Sequence, residues 1–180
     1  MRYAGIIDFD IANGEGIGVA LFVQGCHFHC KGCFNEDTWN FEGGREFTDK
    51  VEEDFMNLIK EPQITRVTIL GGEPLCDENV EKVCNLIYKI RQSCNRSIWI
   101  YTGYTYEDIR KIDVFNINSM FDWLRFNVIA EVDVLVDGKF IEEKKDLTLK
   151  FRGSSNQRVI DIAEMRENGN YRDIILKEGY

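Results

Sequence analysis

Strand-length apolar runs at 18–25 (GVALFVQG), 66–70 (RVTIL), 97–101 (SIWIY) and 132–136 (VDVLV) alternate with helical patterns, and this order limits the fold more than any other feature. After the first run, 48–61 places Val51, Phe55, Leu58 and Ile59 on one helical face, with Thr48 as its N-cap. After the second, a helix opening at Asp77 as N-cap carries the stripe Val80, Val83, Cys84 and Ile87. After the third, Thr105 with Asp108 three residues on reads as the capping box of a short helix. Further short strands are predicted at 147–151 and 158–162. Strand, loop, helix, strand in this order predicts right-handed βαβ units, an α/β fold with a mostly parallel sheet covered by helices.

Ligands of such sheets bind beyond the carboxyl ends of the strands. Each of the four runs stops at a chemically distinctive loop: a cysteine cluster, Gly71–Pro74, Thr102–Tyr104 and Asp137–Lys139. All four are predicted to open on one edge of the sheet, which marks that edge as the candidate active site.

Composition narrows the function classes. The 180 residues, 44% hydrophobic and 29% charged, suit a single globular domain over 1–180. With 31 acids against 22 lysines and arginines, the net charge is −9. That balance lacks the basic footprint a nucleic-acid binder needs, and it reads as solubility. No apolar run approaches the roughly 18–20 residues that cross a membrane. The opening MRYAGIIDFDIANGEG has acids within its apolar stretch and no cleavage pattern. A cytoplasmic chain is expected, in which clustered cysteines serve a metal or redox chemistry in preference to disulfides.

The cluster GCHFHCKGCFN (25–35) holds Cys26, Cys30 and Cys33, together with His27 and His29, the only histidines of the chain. The spacing C-x3-C-x2-C wraps one loop around a compact centre. Structural zinc takes four ligands, so a zinc site would draw on His27, His29 or one of Cys76, Cys84 and Cys94. Cys84 lies on an apolar helical stripe and reads as a small buried hydrophobe; Cys76 and Cys94 read as free thiols. A [4Fe–4S] cluster on three cysteines would instead keep one iron open for a ligand. Spacing alone does not choose between them. In LGGEPL (70–75), Gly71 and Gly72 let the backbone turn sharply and approach a ligand, Glu73 offers a carboxylate to an ammonium group, and Pro74 fixes the exit of the loop.

The cysteine motif after an early strand, followed in order by GGE after the next, resembles the radical S-adenosylmethionine (SAM) enzymes. The resemblance implies a partial (βα) barrel of mostly parallel strands covered by helices. It also implies a [4Fe–4S] cluster on Cys26, Cys30 and Cys33, whose open iron chelates the methionine end of SAM, with Gly71, Gly72 and Glu73 at the methionine amino group. His27 and His29 then pack around the cluster and need not ligate it. The position before the third cysteine, aromatic in many of these enzymes, is Gly32. Phe34 is the candidate to cover the adenine, with Phe28 and His29 behind it. Thr102, Asp137 and Lys139 are further candidates at the SAM pocket.

The segments GCHFHCKGCFNEDTW (25–39), WIYTGYTYEDI (99–109), VDVLVDGKF (132–140) and RGSSNQRVID (152–161), with DIANGEGIGVALFVQGC at the start, resemble the activating proteins of anaerobic ribonucleoside-triphosphate reductases. The resemblance runs from about residue 6 to about 162 and leaves 163–180 as an unassigned tail; 112–130 is longer than in compact members. It implies reductive cleavage of SAM to methionine and a 5′-deoxyadenosyl radical. That radical removes hydrogen from a glycine Cα of the reductase large subunit, with a flavodoxin-like electron donor. Asn156 and Gln157 are expected on the reductase-facing surface. The rival readings are 7-carboxy-7-deazaguanine synthase or another small radical SAM enzyme, among them pyruvate formate-lyase activase. The non-enzyme rival is a zinc-stabilised interaction module.

Overall fold

A computed structural model describes residues 1–111 and 119–180. In chain order the elements are β1 (Arg2–Asp10), β2 (Gly18–Val23), β3 (Arg45–Glu46), α1 (Asp49–Leu58), β4 (Arg66–Gly71), α2 (Asp77–Ser93), β5 (Ser97–Tyr101), α3 (Tyr106–Arg110), α4 (Met120–Glu131), β6 (Val134–Asp137), β7 (Arg158–Asp161) and α5 (Ile162–Glu167). The strands form one mixed sheet in the order β3-β1-β2-β4-β5-β6-β7. Its centre, β2-β4-β5-β6, is parallel, as the alternation of strands and helices predicts. Antiparallel strands flank it: β1 and β3 on one side, β7 on the other.

The period-2 pattern of the strands divides the molecule in two. Val19, Leu21 and Val23 of β2, Val67 and Ile69 of β4, Ile98 and Ile100 of β5, Leu135 of β6 and Ile160 of β7 all enter the main core. They meet Phe55 of α1, Val80, Val83 and Ile87 of α2, Ile109 of α3, Val128 of α4 and Met165 of α5. Each of the five helices therefore packs on the same face. Burying each of these side chains is worth about 1.5–3 kcal/mol. The alternate residues Trp99, Val134, Val136 and Val159 form a second, small cluster on the other face, joined by Tyr101, Phe151 and Tyr180. No helix among the described residues covers that face.

Two devices hold its margins. Arg66, 1% exposed, donates to Asp10 Oδ2 (2.8 Å) and to the carbonyls of Asp10 (2.9 Å), Asn13 (2.9 Å) and Glu15 (3.0 Å), pinning the β1–β2 loop across the starts of the parallel strands. At the opposite side, the tail beyond α5 runs along β7: Asp161 N–H donates to Ile175 O and Lys177 N–H to Val159 O, each at 2.9 Å. Lys177 then reaches Glu15, as does the Tyr180 hydroxyl, joining the tail to the β1–β2 loop.

Several expectations need correction. The run 147–151 is not a strand. Its segment is a turn closed by the bridge Lys145–Ser154, and Phe151 has φ +58°, a left-handed conformation no strand contains. Asp77 does not cap α2: Cys76 stands at the N-cap without a side-chain bond, and Asp77 is drawn into an ion pair with Arg125 of α4. Thr48 and Thr105 do cap their helices, through Val51 N–H and Asp108 N–H. Of the longer stretch 112–130, residues 112–118 lie outside the described residues; 120–130 fall in α4, which packs beside α2.

Candidate active site

The loops after β2, β4, β5 and β6 do converge, and with 145–157 they enclose a cavity of about 630 Å³ on the helix-free face. Cys26, Cys30 and Cys33 all lie on its wall. The loop that carries them is set by backbone bonds from the end of β2: Gly25 N–H donates to Thr38 O (2.7 Å) and Cys26 N–H to Trp39 O (3.0 Å). Gln24 holds the far side of the same loop, donating from Nε2 to Asp37 O (3.0 Å) and Asn40 O (2.9 Å).

The sulfurs sit in an environment suited to a cluster. Cys26 is buried and Cys30 and Cys33 half-buried, and none is in a disulfide. Burial pushes the Cys26 and Cys30 thiols up, while the backbone amides of Phe28 and His29 favour the Cys26 thiolate and that of Phe140 the Cys30 thiolate. Asn35 N–H donates to Cys33 Sγ at 3.4 Å. Amide donors on sulfur are among the levers that set an iron–sulfur potential. Among the described residues, no three His, Cys, Asp or Glu side chains are grouped as a single metal ion requires. Cys76, Cys84 and Cys94 are absent from the cavity wall, and the histidines are engaged elsewhere. His27 Nε2 lies 2.8 Å from Glu78 Oε1 and its ring packs on Phe41; His29 stacks on Trp39 at 4.8 Å.

The Gly71–Pro74 loop is built onto the strand that delivers the cysteines. Gly72 N–H donates to Val23 O (2.9 Å) and Glu73 N–H to Gly25 O (2.7 Å). Gly71 has φ +105°, and a Cβ on Gly72 would overlap the Gly25 carbonyl, so both positions require glycine. Glu73 is 2% exposed at the cavity wall. Its Oε1 accepts from Leu75 N–H (2.8 Å) and Thr102 Oγ1 (2.7 Å), and its Oε2 from Gly103 N–H (2.7 Å). The carboxylate thereby braces the loop after β4 against the loop after β5. Even so, burial pushes its pKa up to about 7, because three neutral donors do not replace the water lost. No lysine or arginine among the described residues pairs with it.

The remaining sequence candidates are distributed as follows. Thr102 is spent on Glu73. Lys139 lies on the cavity wall with its Nζ 4.5 Å from the centre of the Phe28 ring. Phe34 is exposed at the mouth, edge-to-face with Phe140 at 5.3 Å and under Lys145. Gly32 is not on the wall; it forms a left-handed turn, φ +70°, beside Glu142. Asp137 is buried outside the cavity, accepting from Tyr106 N–H (2.8 Å) and Arg158 Nε (2.9 Å). Asn156 donates to Lys139 O (2.8 Å). Gln157 accepts from Gly153 N–H (2.9 Å) and donates to Gly138 O (3.0 Å), so both side chains tie loops together from half-buried positions. Sequence reasoning missed Asn79, whose Nδ2 bridges Gln24 O (2.9 Å) and Glu73 O (3.1 Å), and Phe140. Neither has a signal in its neighbours along the chain.

Comparison with known proteins agrees with this arrangement. Residues 12–160 match the family model described as a 4Fe-4S single cluster domain. The chain is 38% identical over 162 residues to a protein of Escherichia coli (strain K12), covering 88% of this chain and 97% of that one. It is 36% identical over 160 residues to one of Haemophilus influenzae (87% and 96%) and 35% identical over 162 residues to one of Enterobacteria phage T4 (88% and 93%). All three are named anaerobic ribonucleoside-triphosphate reductase-activating protein.

Proposed function

The chain belongs to the family of anaerobic ribonucleoside-triphosphate reductase-activating proteins, and on that premise we propose that it generates the glycyl radical of such a reductase by radical SAM chemistry. The observation that carries this reading is the convergence of Cys26, Cys30, Cys33 and Glu73 on one cavity in the helix-free face. When bound there, a reduced [4Fe–4S] cluster and SAM supply the one-electron cleavage that yields a hydrogen-abstracting radical.

The chain's own residues bind, orient and shield. The thiolates of Cys26, Cys30 and Cys33 would hold three irons, leaving the fourth for the methionine end of SAM. Glu73, a buried carboxylate without a cation, sets a negative field where the methionine ammonium would lie, and that ammonium would draw its pKa back down. Gly71 and Gly72 keep that approach clear of side chains. Phe34 and Phe140 at the mouth offer ring faces and edges to the adenine, and Lys139 stands beside them. Gly32, Thr102 and Asp137 act through the loops they shape, away from direct contact with SAM. Asn156 and Gln157 hold the reductase-facing rim; replacing both with alanine should reduce reductase activation more than SAM cleavage, and equal losses would contradict that role. We read residues 1–180 as one domain, and helices on a single face support a partial barrel whose concave side is the cavity. A flavodoxin-like donor and a cytoplasmic location complete the reading; the six cysteines, all outside disulfides, suit a reducing compartment.

The test is anaerobic. Purified protein should carry about four irons with matching sulfide, as one [4Fe–4S] cluster requires. Its reduced EPR spectrum should change on adding SAM, and incubation with the reductase should produce a glycyl radical. One tightly held zinc and no iron would discard the radical mechanism in favour of a zinc-stabilised module.

A further inference from the structure

The functions assigned above use the end of the cavity nearest the cysteines and leave part of its wall unexplained. Two polar atoms there are out of reach of water and make no hydrogen bond among the described residues: the Tyr101 hydroxyl and Arg152 Nε. The one hydrogen bond Arg152 makes with its side chain among those residues is from Nη1 to Gln157 O, at 2.7 Å. Buried donors left unpaired are rare, and each calls for a partner. Their surroundings are apolar, with Phe22, Leu70, Leu149 and Phe151 on the same wall.

The backbone is arranged to bring Arg152 there. In an extended chain, Phe151 and Arg152 would face opposite ways. The left-handed turn at Phe151 (φ +58°) puts both on the cavity wall, with the Phe151 ring edge-on to Trp99 at 5.3 Å. A non-glycine residue in that conformation is disfavoured, and it persists where surrounding packing holds it. The Tyr101 hydroxyl feels the charges of Arg66 and Asp10, which stand where β4 and β2 meet the β1–β2 loop. It therefore points away from the strand ends that carry Cys26 and Glu73.

We propose that Tyr101 and Arg152 recognise the main-chain carbonyls of an extended, glycine-bearing segment of the reductase, entering the cavity beyond the SAM site. The inference rests on the function proposed above. The chemistry selects the ligand class: two donors with no acceptor of their own, in a narrow apolar chamber, suit peptide carbonyls flanked by small side chains. A glycine admits the closest approach of main chain to the reacting centre. The SAM carboxylate offers the same acceptor chemistry, but the resemblance assigns it to the open iron at the other end. Both residues are positioning and specificity residues, with no part in bond breaking.

The experiment compares wild type with Y101F, R152Q and R152K in reconstituted, reduced protein. Three readings are taken: 5′-deoxyadenosine released from SAM without reductase, glycyl radical formed as reductase concentration is varied, and binding of a synthetic peptide spanning the radical glycine to the cluster-free protein. Removing a hydrogen bond from a charged donor should weaken peptide binding about tenfold or more in R152Q, and less in Y101F. The ratio of radical formed to SAM cleaved should fall in parallel, with the reductase concentration at half-maximal rate rising and R152K partly restoring it. Far-ultraviolet circular dichroism and iron content identify any variant that fails to fold, and the retained charge of R152K keeps the question answerable if R152Q does. Parallel losses of SAM cleavage and radical would place both residues at the SAM site and overturn the inference. Unchanged peptide binding in all three variants would overturn it as well. Wild-type protein that cleaves no SAM would instead overturn the proposed function, and this inference with it.

Discussion

Replacing Glu73 with glutamine should remove most of the pH dependence of stability between about pH 5.5 and 8.5 in the cluster-free protein. In the unfolded chain a glutamate titrates at about 4.3. In the fold, burial of Glu73 outweighs its three donors and moves the titration up to about 7. Between these values the folded protein holds a proton that the unfolded chain has released, so stability falls as pH rises through the window and levels off above it. A displacement of this size corresponds to about 3 kcal/mol over the whole span, at about 1.4 kcal/mol for each pH unit. Starting at about pH 5.5, to limit self-association of a chain this acidic, about 2 kcal/mol remains to be read. Other shifted carboxylates (Glu52, Glu78, Glu107, Asp108, Asp146) are held below the usual range, so their contribution is lost only at lower pH. The thiols of Cys26 and Cys30 are pushed up and titrate above the window. The assay is urea unfolding followed by tryptophan fluorescence under reducing conditions. In E73Q an amide N–H₂ must face the Gly103 or Leu75 N–H, which lowers stability at every pH; the decisive quantity is therefore the slope. Parallel curves for wild type and E73Q would refute the argument, showing that the three donors suffice to keep Glu73 ionised.

Alanine at Cys30 or Cys33 should abolish iron retention while shifting unfolding by less than about 1 kcal/mol, since both are half-exposed; iron analysis with circular dichroism checks it. Asp10→Asn leaves the buried Arg66 guanidinium without its counter-charge and should cost about 3–5 kcal/mol in urea unfolding. A cost below about 1 kcal/mol would mean that the backbone carbonyls around Arg66 carry the site alone. Gly72→Ala forces a Cβ into the Gly25 carbonyl and should displace the cysteine loop together with the Gly71–Pro74 loop. Cluster incorporation and SAM binding should fall together, and loss of only one would separate the two loops.

How much of this was legible in the chain follows from where each signal resides. Strands β2, β4, β5 and β6 are buried on both faces, so they read as continuous apolar runs, and the loops after them could be placed on one edge. Strand β1 escaped notice because two register shifts break its alternation and Ile7 and Phe9 remain exposed. Leu147, Leu149 and Phe151 imitate a strand, yet they line a cavity from a turn, a role that period-2 reading cannot distinguish. The cysteines and glycines of the site were readable because their chemistry is carried by residue type. The bracing of Glu73 by Thr102 and Gly103 was not, because it joins two loops 29 and 30 residues apart in the chain. The tail gave no pattern at all; its order comes from main-chain bonds to β7, which any sequence can make.

Placing every helix on one face has a consequence for how this chain tolerates change. The interactions that keep it folded lie almost wholly behind the sheet, where Phe55, Leu86 and Ile90 are fully enclosed. In front, Phe34 and Leu147 remain open to solvent although they border the cavity. Substitutions on the front wall should therefore alter what enters the cavity long before they threaten the fold. An enclosure built with one permanent wall also has to acquire its second wall from whatever docks there, so full shelter for a reactive intermediate exists only while the partner is seated.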